Sequence, residues 1–110
     1  MAGWYELSKS SDGQFWFVLK AGNAETILTS ERYKARASAE NGIASVRTNC
    51  GTDERYEKKQ SSKGQPYFTL KAANHQVIGT SEMYTSEAAR DKGIASVKSN
   101  GTSETVKDKT

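Results

Sequence analysis

Thr29-Ser30-Glu31-Arg32-Tyr33, followed by Gly42-Ile43-Ala44-Ser45-Val46, returns further along as Thr80-Ser81-Glu82-Met83-Tyr84, followed by Gly93-Ile94-Ala95-Ser96-Val97. Both stretches are displaced by the same interval, 80 − 29 = 93 − 42 = 51 residues. The register continues without a gap in both directions, from Tyr5-Glu6 and Tyr56-Glu57 to Asn49 and Asn100. About half of the aligned positions are identical, which marks a tandem duplication. The chain of 110 residues therefore divides into repeat 1 (1–51) and repeat 2 (52–110). A unit of about 50 residues lies near the lower size limit for a self-sufficient core, so the halves are expected to share one domain.

Each unit reads as three strands and a helix. Trp4 to Lys9, Phe15 to Lys20 and Glu25 to Thr29 alternate or are rich in branched and aromatic residues, as strands are. Their counterparts are Arg55–Gln60, Pro66–Lys71 and Gln76–Thr80. Ser10-Ser11-Asp12-Gly13 and Ala21-Gly22-Asn23 supply the turns. Helices are expected from about Ala35 to Asn49 and from about Ser86 to Asn100, with Thr85 or Ser86 as a cap in the second copy. Asn49-Cys50-Gly51 and Asn100-Gly101 are expected to end them in the left-handed conformation. Gly42 and Gly93 stand in mid-helix, at a cost of roughly 1 kcal/mol each relative to alanine. Their presence in both copies predicts that a strand or the other helix approaches too closely for a side chain.

The pattern Ser-Glu-x-Tyr, then Gly-Ile-x-Ser-Val-x-x-Asn, resembles the YegP-like family of small bacterial proteins of unknown function. Ser30, Glu31, Tyr33, Gly42, Ile43, Ser45, Val46 and Asn49 carry it, as do Ser81, Glu82, Tyr84, Gly93, Ile94, Ser96, Val97 and Asn100. The resemblance implies a β-β-β-α-β unit, with paired units forming one sheet and exchanging C-terminal strands. It implies no activity. The expected fold is α+β: two tandem β-β-β-α(-β) repeats in a pseudo-twofold domain, with a mainly antiparallel sheet and two helices on one face.

Composition narrows the function classes. Hydrophobic residues at 35% and charged ones at 26% describe a globular chain. The net charge of +3 is shared between the halves, with no basic arm. Met1 to Glu6 has neither a basic nor an apolar leader region, and no apolar run approaches a membrane span, so a cytoplasmic protein is expected. His75 and Cys50 are the only histidine and cysteine, too few for structural zinc. His75 reads as a turn residue, and Cys50 as packing at a helix end. No phosphate loop, dinucleotide fingerprint or nucleophile elbow occurs. No catalytic, metal or cofactor residue is nominated, and a non-enzyme is expected.

Two features remain. In Ser-Glu-x-Tyr the serine is expected to close a turn, the glutamate to favour the coming helix, and the tyrosine to pack at the helix start. In the second strands, Phe17 and Leu19, like Phe68 and Leu70, point to one face. The opposite face then carries Trp16, Val18 and Lys20 in one copy and Tyr67, Thr69 and Lys71 in the other. Trp16, Lys20, Tyr67 and Lys71 are the candidate partner-binding residues. The face suits a protein partner or a second copy of the chain, or weak binding of single-stranded nucleic acid by stacking. The expected state is a monomer with an internal pseudo-dimer.

Overall fold

A computed structural model describes residues 3–110 of the chain. Alternation of apolar and polar residues decides the strands. In β1 (Trp4–Lys9) Tyr5 and Leu7 are buried, and in β2 (Phe15–Lys20) Phe17 and Leu19 are. β3 (Thr26–Ser30) and α1 (Arg36–Asn49) complete the first set. A 3-10 turn at Asp53–Arg55 leads into β4 (Tyr56–Gln60), β5 (Pro66–Lys71) and β6 (Val77–Thr80). α2 (Glu87–Asn100) and a short β7 (Val106–Asp108) follow. The strands form one sheet in the order β4-β5-β6-β3-β2-β1-β7, antiparallel except where β7 runs parallel to β1.

A pseudo-twofold axis passes between β3 and β6, the central pair. At this axis the repeats differ for a steric reason. Leu28 fills the space, and a Cβ on its counterpart Gly79 would lie 2.9 Å from the Leu28 Cγ. Both helices pack on the face that carries Phe17, Leu19, Phe68 and Leu70. α1 touches β2 but also β5 and β6, while α2 touches β5 but also β3 and β2. The core is therefore common to both repeats.

The strand exchange is one-sided. β7 of the second repeat reaches across to β1 of the first. The segment after α1 continues through the 3-10 turn into β4, because the chain must go on to build the second repeat.

The helix ends depart from expectation. Cys50 and Gly101 follow α1 and α2 in right-handed conformation, with φ of −63° and −66°. No reversal is needed, because the other repeat takes up the terminal carbonyls. The Tyr5 hydroxyl donates to the Gly101 carbonyl at 2.6 Å, and the Tyr56 hydroxyl donates to the Cys50 carbonyl at 2.5 Å. Asn49 and Asn100 each donate to a carbonyl one turn back, Ser45 and Ser96, at 2.8 Å. Burial pushes both tyrosine hydroxyls far above their usual pKa, so they remain donors. At its N-terminus α2 is capped by the Ser86 hydroxyl, which accepts from the Ala89 N–H at 3.1 Å, whereas Ala35 gives α1 no side-chain cap.

Left-handed backbone occurs instead in the turns. Gly13 and Gly64 adopt it in the first hairpin of each unit, as Asp-Gly chemistry suggests for the first copy. In the second hairpin it falls on Ala24 (φ 70°) and His75 (φ 69°), one residue beyond the predicted Ala21-Gly22-Asn23 turn. Such residues carry a cost of about 1–2 kcal/mol that glycine avoids, less the chain entropy glycine loses on folding. Ala24→Gly and His75→Gly are each expected to raise stability by up to about 1 kcal/mol. Urea melts check this, and a lowered midpoint would contradict it.

Candidate functional site

The Ser-Glu-x-Tyr segment proves to be architecture. Ser30 Oγ accepts the Phe17 N–H at 2.8 Å and donates to the Glu31 carbonyl at 2.8 Å. Ser81 repeats this with the Phe68 N–H at 3.0 Å and the Glu82 carbonyl at 2.8 Å. Each serine thus satisfies a backbone donor of a central strand where the ladder runs out. Tyr33 and Tyr84 lie against the middle of their helices, over Gly42 and Gly93, rather than at the helix starts. Glu31 and Glu82 are exposed, five residues ahead of Arg36 and Glu87, and cap nothing. The nearest neighbours of the mid-helix glycines are therefore aromatic rings: at Gly42 Tyr33 and, from strand β2 as expected, Phe17, and at Gly93 Tyr84.

His75 is exposed in the β5–β6 turn, and Cys50 is fully buried after α1, where desolvation raises its thiol pKa. Among the described residues, no group of three His, Cys, Asp or Glu side chains is placed to hold a metal ion. Among the same residues, no helix is long and apolar enough to cross a membrane.

The opposite face of the sheet carries no helix among the described residues. One row of residues crosses it from edge to edge: Lys107, Glu6, Val18, Thr29, Thr80, Thr69, Glu57. Trp16 and Lys20 flank this row on β2, and Tyr67 and Lys71 flank it on β5. All four are half-buried, and Val18 likewise, whereas Thr69 is buried at 5% exposure. The Thr69 hydroxyl has no hydrogen-bond partner among the described residues.

The four candidates do not form one compact site. β2 and β5 lie three strand spacings apart, about 14 Å. They also run antiparallel, so Trp16 shares its side of the row with Lys71, and Tyr67 shares the other side with Lys20. The result is two aromatic–lysine pairs related by the pseudo-twofold.

Other residues complete the face. The Arg32 guanidinium lies over the Trp16 ring at 4.0 Å, and the Lys107 ammonium lies over the Trp4 ring at 4.2 Å. Trp4 sits opposite Lys20 across β1 and β2, and its indole N–H donates to Glu6 at 2.9 Å. That bond, more than nearby Lys20, lowers the pKa of Glu6. Lys59 lies opposite Tyr67, and Glu57 bridges Lys59 and Lys71 at 3.0 Å each. These two lysines hold the Glu57 carboxyl below its usual pKa. Met83, 47% exposed, occupies the repeat position of Arg32.

Sequence reasoning missed Trp4, Arg32, Lys59 and Lys107. For Trp4 and Lys59 a signal existed: strand alternation places them beside Glu6 and Glu57 on the same face. Arg32 comes from a loop and Lys107 from a parallel strand, and neither position follows from local pattern.

Comparison with known proteins gives a consistent result. The model of a domain of unknown function, DUF1508, matches twice, over residues 10–57 and 61–108. The chain is 69% identical to the UPF0339 protein YegP of Escherichia coli, covering the whole of both chains. It is 67% identical to a UPF0339 protein of Acinetobacter baylyi, covering all of this chain and 99% of that one. The solution NMR structure of Escherichia coli yegP, a protein of unknown function, superposes with a TM-score of 0.93 at 69% identity, over 98% of this chain and 93% of that one. A UPF0339 protein from Shewanella oneidensis, also solved by NMR, gives 0.93 at 62% identity, over 98% and 92%.

Proposed function

The chain belongs to the UPF0339 family, with two tandem copies of the DUF1508 domain, and from that premise we propose that it is a non-enzymatic interaction module. Its binding surface is the open face of the sheet, and its partner is a protein with an acidic surface. The observation that carries this reading is the placement of both helices on one side, with Trp4, Trp16 and Tyr67 half-exposed on the other. Lys20, Arg32, Lys59, Lys71 and Lys107 surround these rings, with Glu6 and Glu57 on the same face. Aromatic and arginine side chains are the residues that most often dominate protein interfaces. Cations poised over the rings add complementarity to carboxylates and raise the association rate.

A second reading, single-stranded nucleic acid, is favoured by the same cations beside stackable rings. It faces an obstacle at Trp16 and Trp4, where Arg32 and Lys107 already cover the ring. A base would have to displace them or stack on the guanidinium.

Affinity capture from a native lysate tests both readings. The chain and its Trp16→Ala/Tyr67→Ala variant are compared, with a nuclease-treated sample in parallel. The expected result is a protein retained after nuclease and lost by the variant, since an aromatic anchor carries about 2 kcal/mol or more, roughly thirtyfold in affinity. Loss on nuclease treatment alone would transfer the face to nucleic acid. Equal capture by both chains would remove the face from the account.

A further inference from the structure

The two ends of the sheet are unequal. The outer edge of β1 is covered by β7: the Tyr5 N–H donates to the Thr105 carbonyl at 2.9 Å, and the Lys109 N–H donates to the Leu7 carbonyl at 2.7 Å. On the helix side, Val106 and Asp108 sit in the groove beside α1. There Arg36 binds Asp108 at 2.5 Å, and the Arg47 guanidinium donates to the Ser103 carbonyl at 2.8 Å. The counterpart edge is β4, the last strand at the other end, and among the described residues no strand pairs with its outer side. The groove beside it, between β4 and α2, has a volume of about 440 Å³, against about 260 Å³ beside α1. Tyr56 and Ile94 floor it, and Lys58, Asp91 and Lys98 line its rim.

The 51-residue offset sets what would fit. Tyr5 and Leu7 present their backbone groups outward to β7, so Tyr56 and Lys58 present theirs outward on β4. The Tyr56 N–H already donates to the Asp53 carbonyl, so donation to an added strand begins at Lys58. Val106 seats beside Ile43, whose counterpart is Ile94. Asp108 lies opposite Leu7, whose counterpart is Lys58. An acidic residue there would meet a lysine instead of a leucine. Arg47 is likewise replaced by Lys98, while Glu87 replaces Arg36, so the cation for that acidic residue comes from the strand and not from the helix start. Lys58 and Lys98 now pair with Asp91 and Asp53. Exposed pairs of this kind contribute little and exchange readily.

We propose that the outer edge of β4 and the groove against α2 bind an extended segment of a partner protein. It adds as a parallel strand, with an apolar residue against Tyr56 and Ile94 and an acidic residue two positions later, opposite Lys58. Strand addition to an exposed edge draws its affinity from main-chain bonds and its selectivity from alternate side-chain pockets. A second copy's β7 is a poorer occupant, because leaving its own β1 would open one edge to close another. This site is separate from the open face of the sheet and does not depend on it.

The probe is a synthetic peptide with the sequence of residues 103–110, Ser-Glu-Thr-Val-Lys-Asp-Lys-Thr, which has the required pattern. Titrated into the isotope-labelled full chain, it is expected to give saturable amide shifts at Lys58, Gln60, Ile94 and Lys98. Affinity should fall at least tenfold when the peptide valine becomes aspartate. It should fall as far in Lys58→Pro, where proline removes an outward N–H and leaves the β4–β5 ladder in place. Lys58→Glu, which keeps the backbone intact, should show the same loss and decides the matter if the proline variant is unfolded. The Trp16→Ala/Tyr67→Ala chain should bind the peptide normally. Absence of shifts at millimolar peptide would overturn the proposal, as would shifts confined to Tyr5–Lys9, the sign of β7 displacement. Shifts that follow the concentration of the chain and not of the peptide would also overturn it, in favour of a second copy.

Discussion

A fragment of residues 1–51 is expected to lose the folded monomer altogether, giving either a random-coil spectrum or a self-associated species. The reason is the way the repeats interlock. Tyr5 caps the second helix through Gly101, and Tyr56 caps the first through Cys50. Cys50 packs so closely on Gly101 that a Cβ there would stand 2.7 Å from its sulfur. The central β3–β6 pair joins the repeats through Thr29–Thr80 and Ser30–Gly79, and each helix covers strands of both. Cutting after Gly51 exposes Leu28, Ile43 and Val46, all at most 2% exposed in the intact chain. A unit this small has no other core to turn to. Association of two fragments would restore the missing partners by symmetry. Circular dichroism with sedimentation analysis checks this, and a cooperative monomer would contradict the shared core.

Leucine at Gly42 should be the most damaging single substitution among those considered, and leucine at Gly93 somewhat less so. Helix propensity alone would favour both changes by up to about 1 kcal/mol. Sterics oppose them. A Cβ at Gly42 would lie 2.7 Å from the Tyr33 hydroxyl oxygen and 2.9 Å from a ring carbon of Phe17, which is fully buried and cannot yield. At Gly93 the nearest atoms all belong to Tyr84, with its Cζ at 2.6 Å, and that half-buried ring can swing outward. Overpacking of this kind typically costs about 1–3 kcal/mol, more where the neighbour is fixed. The expected outcome is a net loss at both positions, larger at Gly42, measured by denaturant melts. In a Tyr84→Ala background the penalty of Gly93→Leu should shrink, since the two residues share one contact. Unchanged or raised midpoints would place these helix faces away from the rings.

The repeat made most of the fold legible. Among the described strands, Trp4–Lys9, Phe15–Lys20 and Pro66–Lys71 follow from alternation and turn chemistry, because one face of each is buried. Tyr56–Gln60, none of whose residues is buried, follows within one residue from the repeat offset. β3 and β6 begin a residue later than expected, since Ala24 and His75 take the left-handed turn position. The mid-helix glycines pointed correctly to close packing, but not to Tyr33 and Tyr84, because which ring reaches a helix depends on tertiary geometry. The helix ends were misread for a related reason: Tyr5 and Tyr56 reach them from the other repeat, across a distance no local pattern encodes. Of the open face, alternation gave Trp16, Lys20, Tyr67 and Lys71, yet the antiparallel relation of β2 and β5 separates them into two pairs.

The claim on which the functional reading stands is that the face bearing Trp16 and Tyr67 is open to solvent in the free chain. A soluble paramagnetic agent added to the isotope-labelled protein tests it most directly, through the broadening of each side-chain signal. Strong broadening of the Trp16 indole, Val18 methyls and Tyr67 ring is predicted, with Phe17, Leu19, Phe68 and Leu70 spared. Signals of Trp16, Val18 and Tyr67 as protected as those of Phe17 and Phe68 would mean that the face is covered, and would contradict the account.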